Sequence, residues 1–189
     1  MKQKAFLPVP RPNPATISAS LALLAICLLA SCATPKPPLH TVARVDLDRY
    51  MGRWNVIANI PYSLERGKVA SYDTYAPRLD GRMQNNFTFR RGSLTAPEVT
   101  WHGVGWVVDP KSNAEWRVRF IWPFTAVYLI IDLDPDYQWA VIGHPSRNLF
   151  WILARDTSLP DATYAGILQR AAAQGYDTNR VVKVLQPPH

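Results

Sequence analysis

The chain has 189 residues, 48% hydrophobic and 19% charged, which fits one globular domain with a sizeable core. Its formal charge of +7 falls to +4 once Lys2, Lys4 and Arg11 of the N-terminal segment are set aside; so diffuse a surplus suits an anionic membrane surface and argues against a nucleic-acid binder. The two cysteines, Cys27 and Cys32, both precede the expected folded part, which excludes a disulfide-built fold, a cysteine nucleophile and a cysteine zinc site there.

Residues 1–31 read as a signal peptide. Lys2, Lys4 and Arg11 form a basic start, and Ile17 to Ala30 is an apolar run of 14 residues, short for a membrane span of about 20 but suited to a signal core. The run ends in Leu29-Ala30-Ser31-Cys32, which resembles the box of bacterial lipoproteins, in which the Cys is acylated and becomes the new N-terminus. An ordinary secretory signal with an incidental Cys32 is the plainer alternative. It leaves unexplained the stretch that follows, Ala33-Thr34-Pro35-Lys36-Pro37-Pro38, which can form neither helix nor central strand and makes residues 32–44 an extended tether. One acyl chain anchors only marginally and several anchor firmly; the lipoprotein resemblance implies several. Ala33 stands where inner-membrane retention is associated with Asp, so the resemblance points to the bacterial outer membrane.

The folded domain is expected over 45–189. Val45 to Met51 reads as a short helical turn, with Leu47, Tyr50 and Met51 at helical spacing. Strands follow at about 53–60, 69–76, 82–91, 98–109, 114–121, 126–133, 137–143 and 148–154. Trp116, Val118 and Phe120 alternate with Glu115, Arg117 and Arg119, and Phe87 alternates with polar neighbours as Phe89 does, the period of an antiparallel sheet wetted on one face. Turns such as Leu79-Asp80-Gly81 and His144-Pro145-Ser146-Arg147 are short, so neighbours in sequence pair. Eight such strands close into an up-and-down barrel able to hold one small ligand, or fold as a sandwich with a solid core; periodicity does not separate the two. Ser158, Pro160 and Asp161 then mark a helix start, Tyr164, Ile167, Leu168 and Ala171 an apolar stripe for the barrel's outer wall, Gly175 a helix end, and Val181 to Leu185 a final strand.

Gly52-Arg53-Trp54, then Asp134-Pro135-Asp136-Tyr137, then Trp151 to Arg155, in that order on short strands ending in a helix, resemble the lipocalin family from about Asp46 to Gln186. The wording of 52–67 and 150–161 is similar to the outer-membrane, apolipoprotein D-like branch. This resemblance decides for the barrel: all-β, eight antiparallel up-and-down strands, with the C-terminal helix packed outside. It implies structural roles for Gly52, Trp54, Asp136, Tyr137 and Arg155. Trp54 would lie across the closed end with Arg155 stacked on its ring, worth roughly 0.5–2 kcal/mol.

Alternate loops of such a barrel share an end, so 61–68, 91–98, 121–126 and 144–148 form the mouth. There Trp122 and Phe124 would be exposed aromatics for a ligand, a membrane or a homodimer contact, or would fold inward and plug the barrel. Glu65, Arg66, Lys68, Arg90, Arg91 and Arg147 would ring the same rim with mostly positive charge. Alternation from Trp54 turns Val56 and Ala58 inward; Phe87, Phe89, Trp101, Trp116, Val118, Phe120, Tyr128 and Trp139 are further cavity candidates.

No metal and no cofactor are expected. Counting from Asp132, an EF-hand would need Gly and Glu where Tyr137 and Gly143 stand, and the histidines lack metal-ligand spacing. Asn86-Phe87-Thr88 fits a glycosylation sequon, of little meaning in a bacterial lipoprotein. The resemblance therefore implies a non-enzymatic carrier of a fatty acid or lysophospholipid, membrane-bound through Cys32. The rivals are a lipocalin-fold enzyme, for which Asp73 would be the mid-strand carboxylate, and a filled, ligand-free envelope lipoprotein.

Overall fold

The computed structural model describes residues 36–188; the signal peptide and the lipidation of Cys32 lie outside the described residues. A one-turn helix α1 (Leu47–Tyr50) precedes strands β1 (Gly52–Asn59), β2 (Lys68–Pro77), β3 (Met83–Arg91), β4 (Glu98–Val107), β5 (Glu115–Ile121), β6 (Phe124–Leu133), β7 (Trp139–Gly143) and β8 (Phe150–Ala154). Helix α2 (Asp161–Ala173), a 3-10 turn (Thr178–Arg180) and the short β9 (Val182–Lys183) follow. Each of the eight main strands pairs antiparallel with the next, and β1 pairs with both β2 and β8, so the sheet closes on itself and has no free edge among them.

The barrel forms because alternate side chains on each strand are apolar or bulky and can be buried together. On β3, Met83, Asn85, Phe87 and Phe89 are buried, and on β5 Trp116 and Val118 are. Two apolar layers result. One fills the barrel, with Trp54, Val56, Phe87, Trp116, Ile142 and Leu153 among its members. The other lies between the barrel wall and α2, where Ile167 and Ala171 meet Ile57, Ile131, Val141 and Ile152. Burying a side chain of Ile size contributes about 1.5–3 kcal/mol, so Ile167, 1% exposed, holds much of the helix in place.

Strands β1 and β2 pair only from Gly52↔Tyr75 to Asn55↔Tyr72. Past that point the C-terminal residues join the two strands: Val184 N donates to Ile57 O (2.9 Å), Ala70 N donates to Leu185 O (2.7 Å), and Gln186 Nε2 donates to Val56 O (2.7 Å) and Ser71 O (2.9 Å). Residues 37–45 cross the outside of the barrel from end to end. Pro37 O accepts from Arg147 in the β7–β8 loop, Val42 N donates to Ile130 O, and Val45 N donates to Ser112 O in the β4–β5 loop.

Three expectations are corrected. Helix α2 starts at Asp161 with Pro160, not Ser158, at the cap position, because Pro160 has an extended ψ of 139° and keeps helical geometry from beginning earlier. Strand β6 begins at Phe124, so the β5–β6 connection shrinks to Trp122-Pro123. Strand β7 begins at Trp139, since Asp134 to Gln138 are spent on a turn in which Asp134 Oδ2 accepts from Asp136 N and Gln138 N, both at 3.1 Å.

Candidate functional site

The closed end is built around Trp54. Gly52 has φ +94°, which disfavours any other residue, and a Cβ there would stand in contact with the Arg155 guanidinium at 3.4 Å. Trp54 is fully buried and donates from Nε1 to Tyr50 O (2.7 Å). The Arg155 guanidinium sits 3.8 Å from its ring centroid and donates to Arg53 O (2.8 Å), Arg49 O (2.7 Å) and Tyr137 O (3.3 Å). Tyr137, at φ +59°, accepts from Asp46 N at 2.8 Å, and Asp136 is exposed in the turn before it. One arginine thus ties α1, β1 and the β6–β7 turn across the floor.

Above this floor a cavity of about 350 Å³ opens at the other end, near the lower end of the roughly 300–1,000 Å³ of small-molecule sites. Its walls are largely apolar and aromatic. Of the expected cavity residues, Phe87, Trp101, Val118, Phe120, Phe124 and Tyr128 line it. Val56, Phe89 and Trp116 belong to the barrel interior but not to the lining. Trp116 stacks on Tyr128 (5.2 Å, 10°) and fills the floor. Trp122, 79% exposed, stands at the rim, neither in the lining nor plugging the barrel.

Ala58 and Trp139 face the other way. A bulge between Val56 and Ala58 in the pairing with β8 breaks the alternation, and Ala58 joins the layer under α2. On β7 the inward positions are Ala140 and Ile142, so Trp139 turns outward, where the Arg170 guanidinium covers its ring at 5.4 Å.

The polar groups of the cavity were the less legible part. Asp73 pairs with inward Trp54 and Phe87 across the neighbouring strands and lines the cavity. Burial, and then the charge of Glu65, hold its carboxyl well above the usual carboxylate range. Glu65, 9% exposed, accepts from Asn59 Nδ2 (2.7 Å) and Trp151 Nε1 (2.9 Å). Burial pushes it up to about 7, against those bonds and the charge of Lys68, which lower it. Asn85, 2% exposed, also lines the cavity, and its Oδ1 has no hydrogen-bond partner. Beside it Tyr128 Oη lies 2.8 Å from Tyr75 Oη and 3.2 Å from Tyr50 Oη.

The expected basic rim is largely dismantled. Lys68 is 8% exposed, with Nζ 3.3 Å from the Trp101 ring centroid and 3.8 Å from that of Phe89; burial pushes its ammonium down to about 8. Arg147 is 4% exposed and donates to Pro145 O (2.7 Å) and Pro37 O. Arg90 pairs with Glu98 at 3.2 Å. Arg66 and Arg91 stay exposed. Among the described residues that line the cavity there are two carboxyls and no Lys, Arg or His. His102 bonds Asn86 (2.9 Å) and His144 bonds Ser146 (2.9 Å), and no group of metal-ligating side chains occurs among the described residues.

A closed barrel of eight up-and-down strands around an apolar cavity, with one helix outside, is an architecture for enclosing one small guest. The chain belongs to the lipocalin family: the model of the lipocalin-like domain matches residues 45–186. It is 34% identical over 163 residues to temperature-induced lipocalin-1 of Arabidopsis thaliana, covering 81% of this chain and 86% of that one. It is 30% identical over 171 residues to the outer membrane lipoprotein Blc of Escherichia coli K12, covering 88% and 94%. Among solved structures, insecticyanin of the tobacco hornworm Manduca sexta superposes with a TM-score of 0.62 at 16% identity, over 78% of this chain and 84% of that one, a likeness of fold alone.

Proposed function

We propose that this lipocalin is a carrier of single-chain amphiphiles, held at the bacterial outer membrane through an acylated Cys32. The observation that carries the reading is the cavity: closed by Trp54 and Arg155, walled by apolar and aromatic side chains, and open at one end. Each buried CH₂ contributes about 0.8 kcal/mol, so an acyl chain offsets an association cost on the order of 4–15 kcal/mol. With Glu65 in the lining, a zwitterionic lysophospholipid suits the site better than an ionised fatty acid, whose carboxylate would meet like charge once Glu65 ionises.

Two features support the membrane reading. Leu64, Ile121, Trp122 and Phe124 are all more than half exposed around the mouth, an apolar rim of the kind that meets lipid or protein. Pro37 is held by Arg147 at the same end. Four residues lie between it and Cys32, a reach over the five residue steps of at most about 18 Å, so an acyl anchor would keep the mouth close to the bilayer.

The test is a titration of delipidated protein with lysophosphatidylcholine and palmitic acid, followed by tryptophan emission, since Trp101 and Trp151 line the cavity. Saturable one-to-one binding below the micelle concentration is expected. No binding of either lipid would overturn the carrier reading. Chemical turnover of a bound lipid, lost in Asp73→Ala, would instead mark an enzyme acting through the one carboxyl deep in the cavity.

A further inference from the structure

We propose that the deep end of the cavity is a polar subsite, formed by Asp73 and Asn85, that takes a hydroxyl group at the far end of the ligand's apolar chain. The proposal rests on the carrier reading above and narrows it: the guest carries polarity at both ends.

The geometry begins with the strands. Asn85 is two residues into β3 from its closed-end start at Met83, opposite Tyr75 on β2 and Gly103 on β4. Asp73 stands one inward position nearer the mouth, opposite Phe87. Both side chains reach the cavity wall. Gly103 matters to the space in front of them: a Cβ there would stand 2.7 Å from the Phe120 ring and 3.0 Å from Asn85 O. The absence of that Cβ lets Phe120 lean against β3 and β4 in front of Asn85.

The chemistry follows from what these groups lack. A buried acceptor without a donor is costly, and each such group in a folded protein calls for an explanation. Asn85 Oδ1 has no protein partner, although Tyr75, Tyr50 and Tyr128 are close enough to one another to satisfy themselves. The Asp73 carboxyl, raised well above the usual carboxylate range by burial, supplies the complementary O–H donor when protonated. Asn85 Oδ1 is covered as it stands, and a half-turn of the amide brings it to the cavity; beside the Asp73 carboxyl it then matches a hydroxyl, which gives one hydrogen and takes another. A methyl end would leave both unmet. An ammonium end would find acceptors, but would have to shed its water and draw the proton off Asp73 inside an apolar barrel, which is the more expensive exchange.

The experiment uses lysophosphatidylcholines, whose head group is too large to enter and so fixes the chain end at the bottom. Lipids with plain, ω-hydroxy and ω-amino chains are titrated into the delipidated full-length protein across a series of chain lengths, and the best-matched lengths are compared. In the wild type the ω-hydroxy lipid is expected to bind at least as tightly as the plain one. In Asn85→Leu, near in shape and unable to bond, the hydroxyl is left unpaired and the ratio of the two dissociation constants moves about tenfold toward the plain lipid. Asp73→Leu is expected to shift it in the same direction and serves as the second variant if the first does not fold. A plain lipid preferred equally by the wild type and both variants would overturn the subsite, as would a preference of the wild type for the ω-amino chain. Failure of every lipid to bind the wild type is a different result, since it removes the carrier reading itself.

Discussion

Replacing Glu65 by Gln should make the protein more stable at neutral pH, and by an amount that depends on pH in a known sense. The Glu65 carboxyl rises from 4.5 to about 7 because burial disfavours its charge. The folded protein therefore holds that proton more tightly than the unfolded chain does. The resulting stabilisation is complete below about pH 4.5 and is lost progressively as pH rises to about 7, staying flat above. A shift of roughly 2.5 units corresponds to about 3 kcal/mol. Gln stays neutral throughout, and its Oε1 can take the place of Glu65 Oε2, which accepts from both Asn59 and Trp151. Turning an amide NH₂ toward Trp151 adds an offset that does not vary with pH. Removing the Glu65 charge also lowers the Asp73 carboxyl, which that charge helps to raise, and this acts in the same direction. Lys68, pushed down to about 8, titrates at the upper edge of the range, so the comparison is read chiefly below about pH 7.5. Urea unfolding of both proteins between about pH 5 and pH 8 should show the variant gaining on the wild type by up to about 3 kcal/mol as pH rises. A difference that stays constant across the range would refute the reasoning, because it would mean that Glu65 is not burying charge.

The same group should govern ligand choice: palmitate affinity is expected to fall as pH rises through about 7, while lysophosphatidylcholine affinity stays level and Glu65→Gln flattens the palmitate profile; isothermal titration at several pH values decides it. Arg155→Met removes a stacked guanidinium and its bonds to three carbonyls, and should cost about 2–4 kcal/mol in urea unfolding; a loss under about 1 kcal/mol would show that the floor does not depend on it. Gly103→Val drives a side chain into Phe120 and should cost about 1–3 kcal/mol of stability together with measurable lipid affinity, read by melting and titration of one preparation. Trp122→Ser combined with Phe124→Ser should leave the fold intact, since both side chains are exposed, and should weaken sedimentation with phosphatidylglycerol vesicles; an unchanged vesicle fraction with a dimer-to-monomer shift on size exclusion would assign the pair to a homodimer instead.

Much of the barrel can be read from the chain because its evidence is local. Trp116, Val118 and Phe87 alternate with polar neighbours over stretches long enough to define a face, and Gly52, Trp54 and Arg155 meet as the lipocalin resemblance implies. Parity is different, because it does not survive a bulge. Ala58 is two residues from inward Val56 and should share its face, yet the irregularity beside β8 puts it under α2, and no residue type in Val56-Ile57-Ala58 announces this. The polar site was hidden for a related reason. Charged residues default to the surface, so the sequence places Glu65, Lys68 and Arg147 on a solvated rim, whereas each is less than a tenth exposed.

That burial changes the function the sequence suggested. A rim of free cations would draw an anionic head group. A buried Glu65, a Lys68 spent on the rings of Phe89 and Trp101 and an Arg147 spent on backbone carbonyls leave a mouth whose one lining charge is negative. The signal for Asp73 was available only through pairing: once Trp54 points inward, its partner across β1 and β2 must as well, and register is the information that a single strand lacks. The apolar walls, legible in the sequence, argue for a lipid. The acids and the amide, legible only after the strands are paired, carry the proposed choice among lipids: one whose head group tolerates a carboxylate at the mouth and whose chain can carry a hydroxyl to the floor.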